Sequence, residues 1–142
     1  MINLMLMFCF LGTGFSFQAD KQILSRSKGG EIHFRIYSTE SQAGSNYQIL
    51  AGVTGTYPGQ TLPNGAHLPL RLDWVTRNFI YFDYIGIIVH NFHGVLNDYG
   101  INIAWLRTGP LSCCTINRLF LVCVCGGPRW SASNVVEIKI VD

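Results

Sequence analysis

The residues most able to do chemistry here are thiols. Cys113 and Cys114 are adjacent, and Cys123 and Cys125 follow shortly after with one residue between them. Thiols gathered this closely either pair as disulfides or hold a soft metal. Structural zinc uses knuckles such as C-x2-C, and CC with CxC does not match, so disulfides are the expectation. Nested bridges, Cys114 with Cys123 and Cys113 with Cys125, would staple a hairpin centred near Asn117. On a regular strand, adjacent cysteines point to opposite faces while Cys123 and Cys125 share one, so a bulge or turn near Cys113 would be required. A bridge closing a loop of this size contributes roughly 3 kcal/mol in the chain-entropy model.

Other polar groups form no constellation. His90 and His93 would share a face on a helix, but on a strand they point apart, and no third ligand is close in sequence. Asp73, Asp83 and Asp98 are candidate carboxylates for glycoside hydrolysis, which needs two at a defined separation, and nothing in their spacing pairs them. Asp73 in LRLDW and Asp98 in LNDYG read instead as turn residues bonding backbone amides. Calcium would need spaced oxygen ligands, and the D-x-D-x-D pattern is absent. The chain has no G-x-S-x-G elbow, no P-loop and no G-x-G-x-x-G between strand and helix. The reading is therefore non-enzymatic, with no cofactor and no metal. Aromatic rings are the remaining handle. Trp130 in the loop GGPRWSAS, with Tyr57 and Trp74, is the candidate set for stacking against a sugar.

Composition bounds the elements that position these groups. The chain has 142 residues, enough for one domain with its own core. Hydrophobic residues make up 49% and charged residues only 13%, which excludes disorder. The formal net charge of +2 is too small to point to nucleic acid. Residues 1–19 carry no charged side chain and read as a secretory signal with a cut after Ala19, the alternative being a buried first strand. Residues 20–30 read as a linker and 31–142 as the domain. Clustered cysteines in an exported chain fit that compartment.

Alternation predicts strands throughout the domain. In EIHFRIYS (31–38), Ile32, Phe34 and Ile36 oppose His33, Arg35 and Tyr37. NYQILAGVT (46–54) sets Tyr47, Ile49, Ala51 and Val53 in register. NFIYFDYIGIIVHNF (78–92) is the most apolar run, and INIAWLR (101–107) puts Ile101, Ile103 and Trp105 on one face. NRLFLVCVC (117–125) and NVVEIKIV (134–141) complete the set, the latter with Val136, Ile138 and Ile140 together. Between them, GTYPGQTLPNGAHLPL (55–70) concentrates proline and glycine. Pro58-Gly59 and Asn64-Gly65 are turn signals, and the segment reads as a connector between sheets or across their rim. No segment shows a sustained helical period. About eight short strands predict an all-β fold, an antiparallel β-sandwich of Ig-like or jelly-roll-like type, with a small β-barrel as the alternative.

Particular residues also resemble a small secreted β-sandwich domain that recurs in exported planctomycete and myxobacterial proteins. The matches are Ala43, Gly44, Tyr47, Leu50 and Gly52, then Gly55, Thr56, Pro58 and Gly59. They continue through Leu68, Pro69, Leu70 and Asp73, then Gly94, Leu96 and Gly100, and end with Ser133 and Asn134 before the last strand. Thr54 and Asn97 depart from the pattern, which has Ser and Asp there, and the cysteine cluster is not part of it. The resemblance implies fold and export and transfers no catalytic residue. The expected role is a structural or adhesive module outside the cell or at its surface. Its expected partner is a second copy or an envelope or extracellular component, and the alternative is a carbohydrate-binding module that retains a polysaccharide.

Overall fold

The computed structural model describes residues 15–38, 42–79, 82, 86–111, 115–126 and 130–142. Two sheets stack face to face. The four-stranded sheet runs in the order β1 (Ser16–Ala19), β3 (Gly30–Tyr37), β9 (Ile101–Thr108), β7 (Ile87–His90). The larger sheet runs β2 (Ile23–Ser25), β12 (Val136–Val141), β10 (Arg118–Gly126), β4 (Asn46–Gly52), β8 (His93–Val95), with β11 (Ser131–Ala132) also on β10. All pairings are antiparallel except β2 with β12, which is parallel. The fold is thus the expected β-sandwich; the sheets stay separate and do not close into a barrel.

Alternation in the sequence builds the interior. Ile32, Phe34 and Ile36 of β3 face Tyr47, Ile49 and Ala51 of β4 and Val136, Ile138 and Ile140 of β12 in one core. A run of rings threads it. Phe17 stacks on Phe34 at 5.3 Å, Phe34 meets Phe92 edge-on at 5.8 Å, and Phe92 stacks on Phe79 at 5.9 Å.

β10 is buried on both faces, which is why its sequence is almost continuously apolar. Leu119, Leu121, Cys123 and Cys125 point into the main core, while Val122 and Val124 join Leu68 and Leu70 in a second, smaller core on the outer side. The punctuated segment makes that second core. It folds back as the hairpin β5 (Gln60–Thr61) and β6 (His67–Leu68), with Asn64-Gly65 at the tip and Gly65 at φ +89°. The Asn64 side-chain amide donates to the Trp130 carbonyl at 2.9 Å, pinning the tip beside the end of β10. The segment lies on the path from β4 of the larger sheet to β7 of the four-stranded one, and on the way it forms a flap over the larger sheet's outer face.

Four segments refine the reading of the elements. Ser16–Ala19, at the end of the segment read as a signal, forms an edge strand paired with β3, which fits the alternative of a buried first strand, and Phe17 is 1% exposed. The linker at 20–30 contains β2, whose Leu24 is buried in the main core. Among its described residues the apolar run at 78–92 gives the short strand β7 and the buried Phe79, Phe82 and Phe92, and its first residue, Asn78, ends a helix, α1 (Trp74–Asn78). On β9 Ile101, Ile103 and Trp105 share a face as expected, and it is the outer one: the inward set is Ala104, Leu106 and Thr108, while Ile103 is 63% exposed.

Candidate binding face and the placement of reactive groups

Cys123 and Cys125 are free thiols, fully buried on the inner face of β10. No disulfide is seen at either of them. Cys113, Cys114 and Cys9 lie outside the described residues. The hydrogen bond to Cys125 and then burial hold the Cys123 thiol far above its ordinary range. Next to it, burial and the proximity of Cys123 push the Tyr47 phenol up to about 12. That hydroxyl donates to the Asn91 carbonyl at 2.8 Å. Both thiols are accordingly expected to resist a thiol-labelling reagent in the native protein and to react fully in denaturant; mass analysis of the labelled peptides checks this.

The histidines separate as strand geometry requires. His90 faces outward on the four-stranded sheet, and His93 lies on β8 of the other, paired with Gln48. Asn91, at φ +59°, turns the chain between them. Among the described residues no group of three His, Cys, Asp or Glu could hold a metal.

The carboxylates are equally dispersed. Asp73 is the N-cap of α1: its Oδ1 accepts from the Val75 amide at 2.9 Å and the Thr76 amide at 3.2 Å. Its Oδ2 accepts from the Val53 and Thr54 amides at 2.8 and 3.0 Å and from the Thr54 hydroxyl at 2.8 Å. A carboxylate so committed to structural donors is a fold element, as its sequence context implied. Asp98 sits in the turn before β9, near the other end of β4, and Asp83 is outside the described residues.

The aromatic candidates do not share a face. Trp130 packs against Gly126 at one end of β10. Trp74 leans on Phe82 and borders a depression with Arg118 at the strand's other end, roughly 26 Å away by strand rise. Tyr57 projects alone from the flap, 85% exposed.

A different surface gathers polar and apolar groups, and sequence reasoning did not single it out. The outer face of β1-β3-β9-β7 carries Glu31, His33 and Arg35 beside Trp105, Arg107 and Ile103. Glu31 ties two neighbours: its Oε1 accepts from Arg107 Nε at 2.8 Å and its Oε2 lies 2.8 Å from His33 Nε2. The His33 bond first and the Arg107 bond second hold the Glu31 carboxyl below its usual range. The Arg107 guanidinium lies 4.5 Å from the Trp105 ring centre, and the His90 imidazole stacks on the same indole at 5.1 Å and 18°. With His90 and Arg107 on it, the Trp105 indole is already engaged. Ile103 and Ile88 (47% exposed) flank this array without cover. One signal could have found the face: Arg107 shares the parity of Ile101, Ile103 and Trp105, and an arginine turns that whole set outward.

No known protein family matches the chain, and no curated protein does. Among solved structures it is similar to the chain described as "Crystal structure of swine CD8aa homodimer". The two are 12% identical, with 89% of this chain and 98% of that chain covered at a TM-score of 0.42.

Proposed function

We propose that this chain is a non-catalytic, exported β-sandwich acting as a structural or adhesive module at the cell surface or outside the cell. It makes contact through the outer face of the four-stranded sheet. The observation that carries this is the exposed Ile88 and Ile103 set among ordered charged and aromatic side chains, the mixture enriched at protein contacts. Edge pairing is a weaker route: the sheet edges β1, β7, β2 and β8 are only three or four residues long, which limits ladder bonding to a neighbour.

Ile103→Arg places a charge at the middle of the face without touching the core. The labelled full chain is expected to be retained on envelope material from its source, and the variant to lose at least about tenfold of that retention. Equal retention of both, or none by either, ends the proposal. The carbohydrate alternative draws on no shared platform of Trp130, Tyr57 and Trp74. It would be restored by polysaccharide retention that Trp130→Ala abolishes while the fold persists.

A further inference from the structure

The outer face of the four-stranded sheet holds two charges that the fold leaves unmatched. Arg35 projects from the middle of β3, and no carboxylate among the described residues lies within ion-pair distance of it. Asp20 follows β1. Its Oδ1 accepts from the His33 amide at 2.9 Å, yet no cation among the described residues pairs with its carboxylate. Both side chains line one shallow depression of about 270 Å³, together with Gln18, His33 and Ile103. They lie on adjacent strands, displaced diagonally, and do not meet within the chain.

The geometry points to a second copy of this chain as the occupant of the face, packed sheet to sheet about a two-fold axis. This deepens the adhesive reading above and rests on it. In such a contact each Arg35 meets the Asp20 of the other copy, so one unmatched pair becomes two intermolecular ion pairs. An isologous interface requires that self-complementarity, with each group and its partner present on the same patch. A perpendicular bisector drawn between the two residues on the sheet passes close to Trp105, which sets that indole near the axis. The exposed Ile88 and Ile103 then lose water on both sides. From strand spacing and rise the four strands offer roughly 400 Å² of flat sheet per copy, the size of a weak, reversible contact. The dimer is therefore expected to dissociate between about 1 μM and about 1 mM, and more readily as salt rises.

Charge exchange tests this without disturbing the core. Arg35→Glu alone sets acid against acid in the two-fold contact, and Asp20→Lys alone sets base against base. Each is expected to weaken self-association more than about tenfold in sedimentation velocity. Mixed in equal amounts, the two variants regain both ion pairs, and dimers reappear only in the mixture. Circular dichroism checks that each variant is folded; should Asp20→Lys fail to fold, Asp20→Asn keeps an acceptor for the His33 amide and is expected to weaken the dimer alone. The proposal is overturned by a wild type monomeric up to about 1 mM, by variants that associate like the wild type, or by folded variants whose mixture stays monomeric. If the wild type is monomeric but Ile103→Arg still abolishes envelope retention, only the second copy is excluded. If retention fails as well, the adhesive reading falls with it.

Discussion

Asp73→Ala is expected to lower the unfolding free energy by about 2–4 kcal/mol and the Tm by roughly 10 °C, read by denaturant and thermal unfolding. One carboxylate joins two elements. Its Oδ1 closes the capping box of α1, where the Thr76 hydroxyl in return accepts from the Asp73 amide at 3.2 Å. Its Oδ2 gathers the half-buried Val53 amide and the exposed Thr54 amide beyond the end of β4. Asp73→Asn is expected to cost nearly as much, since an amide satisfies one side only and turns N–H groups toward the other. Gly52 is part of the same device: a Cβ there would sit 3.3 Å from Oδ2 and 3.1 Å from the Arg71 carbonyl.

The same carboxylate makes stability depend on acid. Desolvation pushes the Asp73 carboxyl up, but the bonds from Val53, Thr54 and Thr76 outweigh it and hold it below its usual value. A depressed folded value means that the stabilisation is complete above the unfolded value of about 3.9 and is lost as pH falls through the lower folded one. Unfolding midpoints of the wild type should therefore drop below about pH 4 more steeply than those of Asp73→Asn. Parallel acid limbs for the two would remove this residue from the account.

Phe17→Ala is expected to cost about 3–5 kcal/mol, the range for a buried aromatic truncated to a methyl. Phe17 stacks on Phe34 and is held from behind by Asn134, which accepts from its amide at 2.9 Å and donates to its carbonyl at 2.8 Å. Asn134 thereby fastens an edge of one sheet to the segment entering β12 of the other. Ser133 beside it receives the Cys123 amide at 2.9 Å and donates to the Asn134 carbonyl at 2.8 Å. Removal of residues 1–19 takes away the buried Phe15 and the whole of β1 with its buried Phe17. A chain beginning at Asp20 should show a Tm lower by at least about 10 °C than one beginning at Phe15. Equal stability of the two truncations would show β1 to be dispensable.

These features were legible in the sequence to different degrees. β3 and β12 declared their buried faces because polar and apolar residues alternate strictly in HFRIY and VEIKIV. β9 did not, since INIAWLRT is apolar at both parities and only its neighbours choose the inner one. α1 escaped notice at five residues, too short for a helical period and made of Trp, Val and Thr, which favour strands. Its start signal, Asp73 with Thr76 three residues on, was present. The turn at Asn64-Gly65 was readable from local chemistry, but the destination of the flap was not, because Val122 and Val124 supply it from far along the chain. The grouping on the outer face of the four-stranded sheet was hidden for the same reason: Arg35, Trp105 and His90 are brought onto one surface only through pairing between three strands.

β2 finds its place only against β12, close to the far end of the sequence, and β4 waits for β10 in the same way. During synthesis the first-made strands therefore stand with their apolar sides uncovered until the late ones emerge. Such distant pairing must meet the loop-closure cost before any contact rewards it, so refolding is expected on a timescale of milliseconds to seconds. Strands left uncovered in this way invite association between chains, so the yield of refolded protein is expected to fall as its concentration rises.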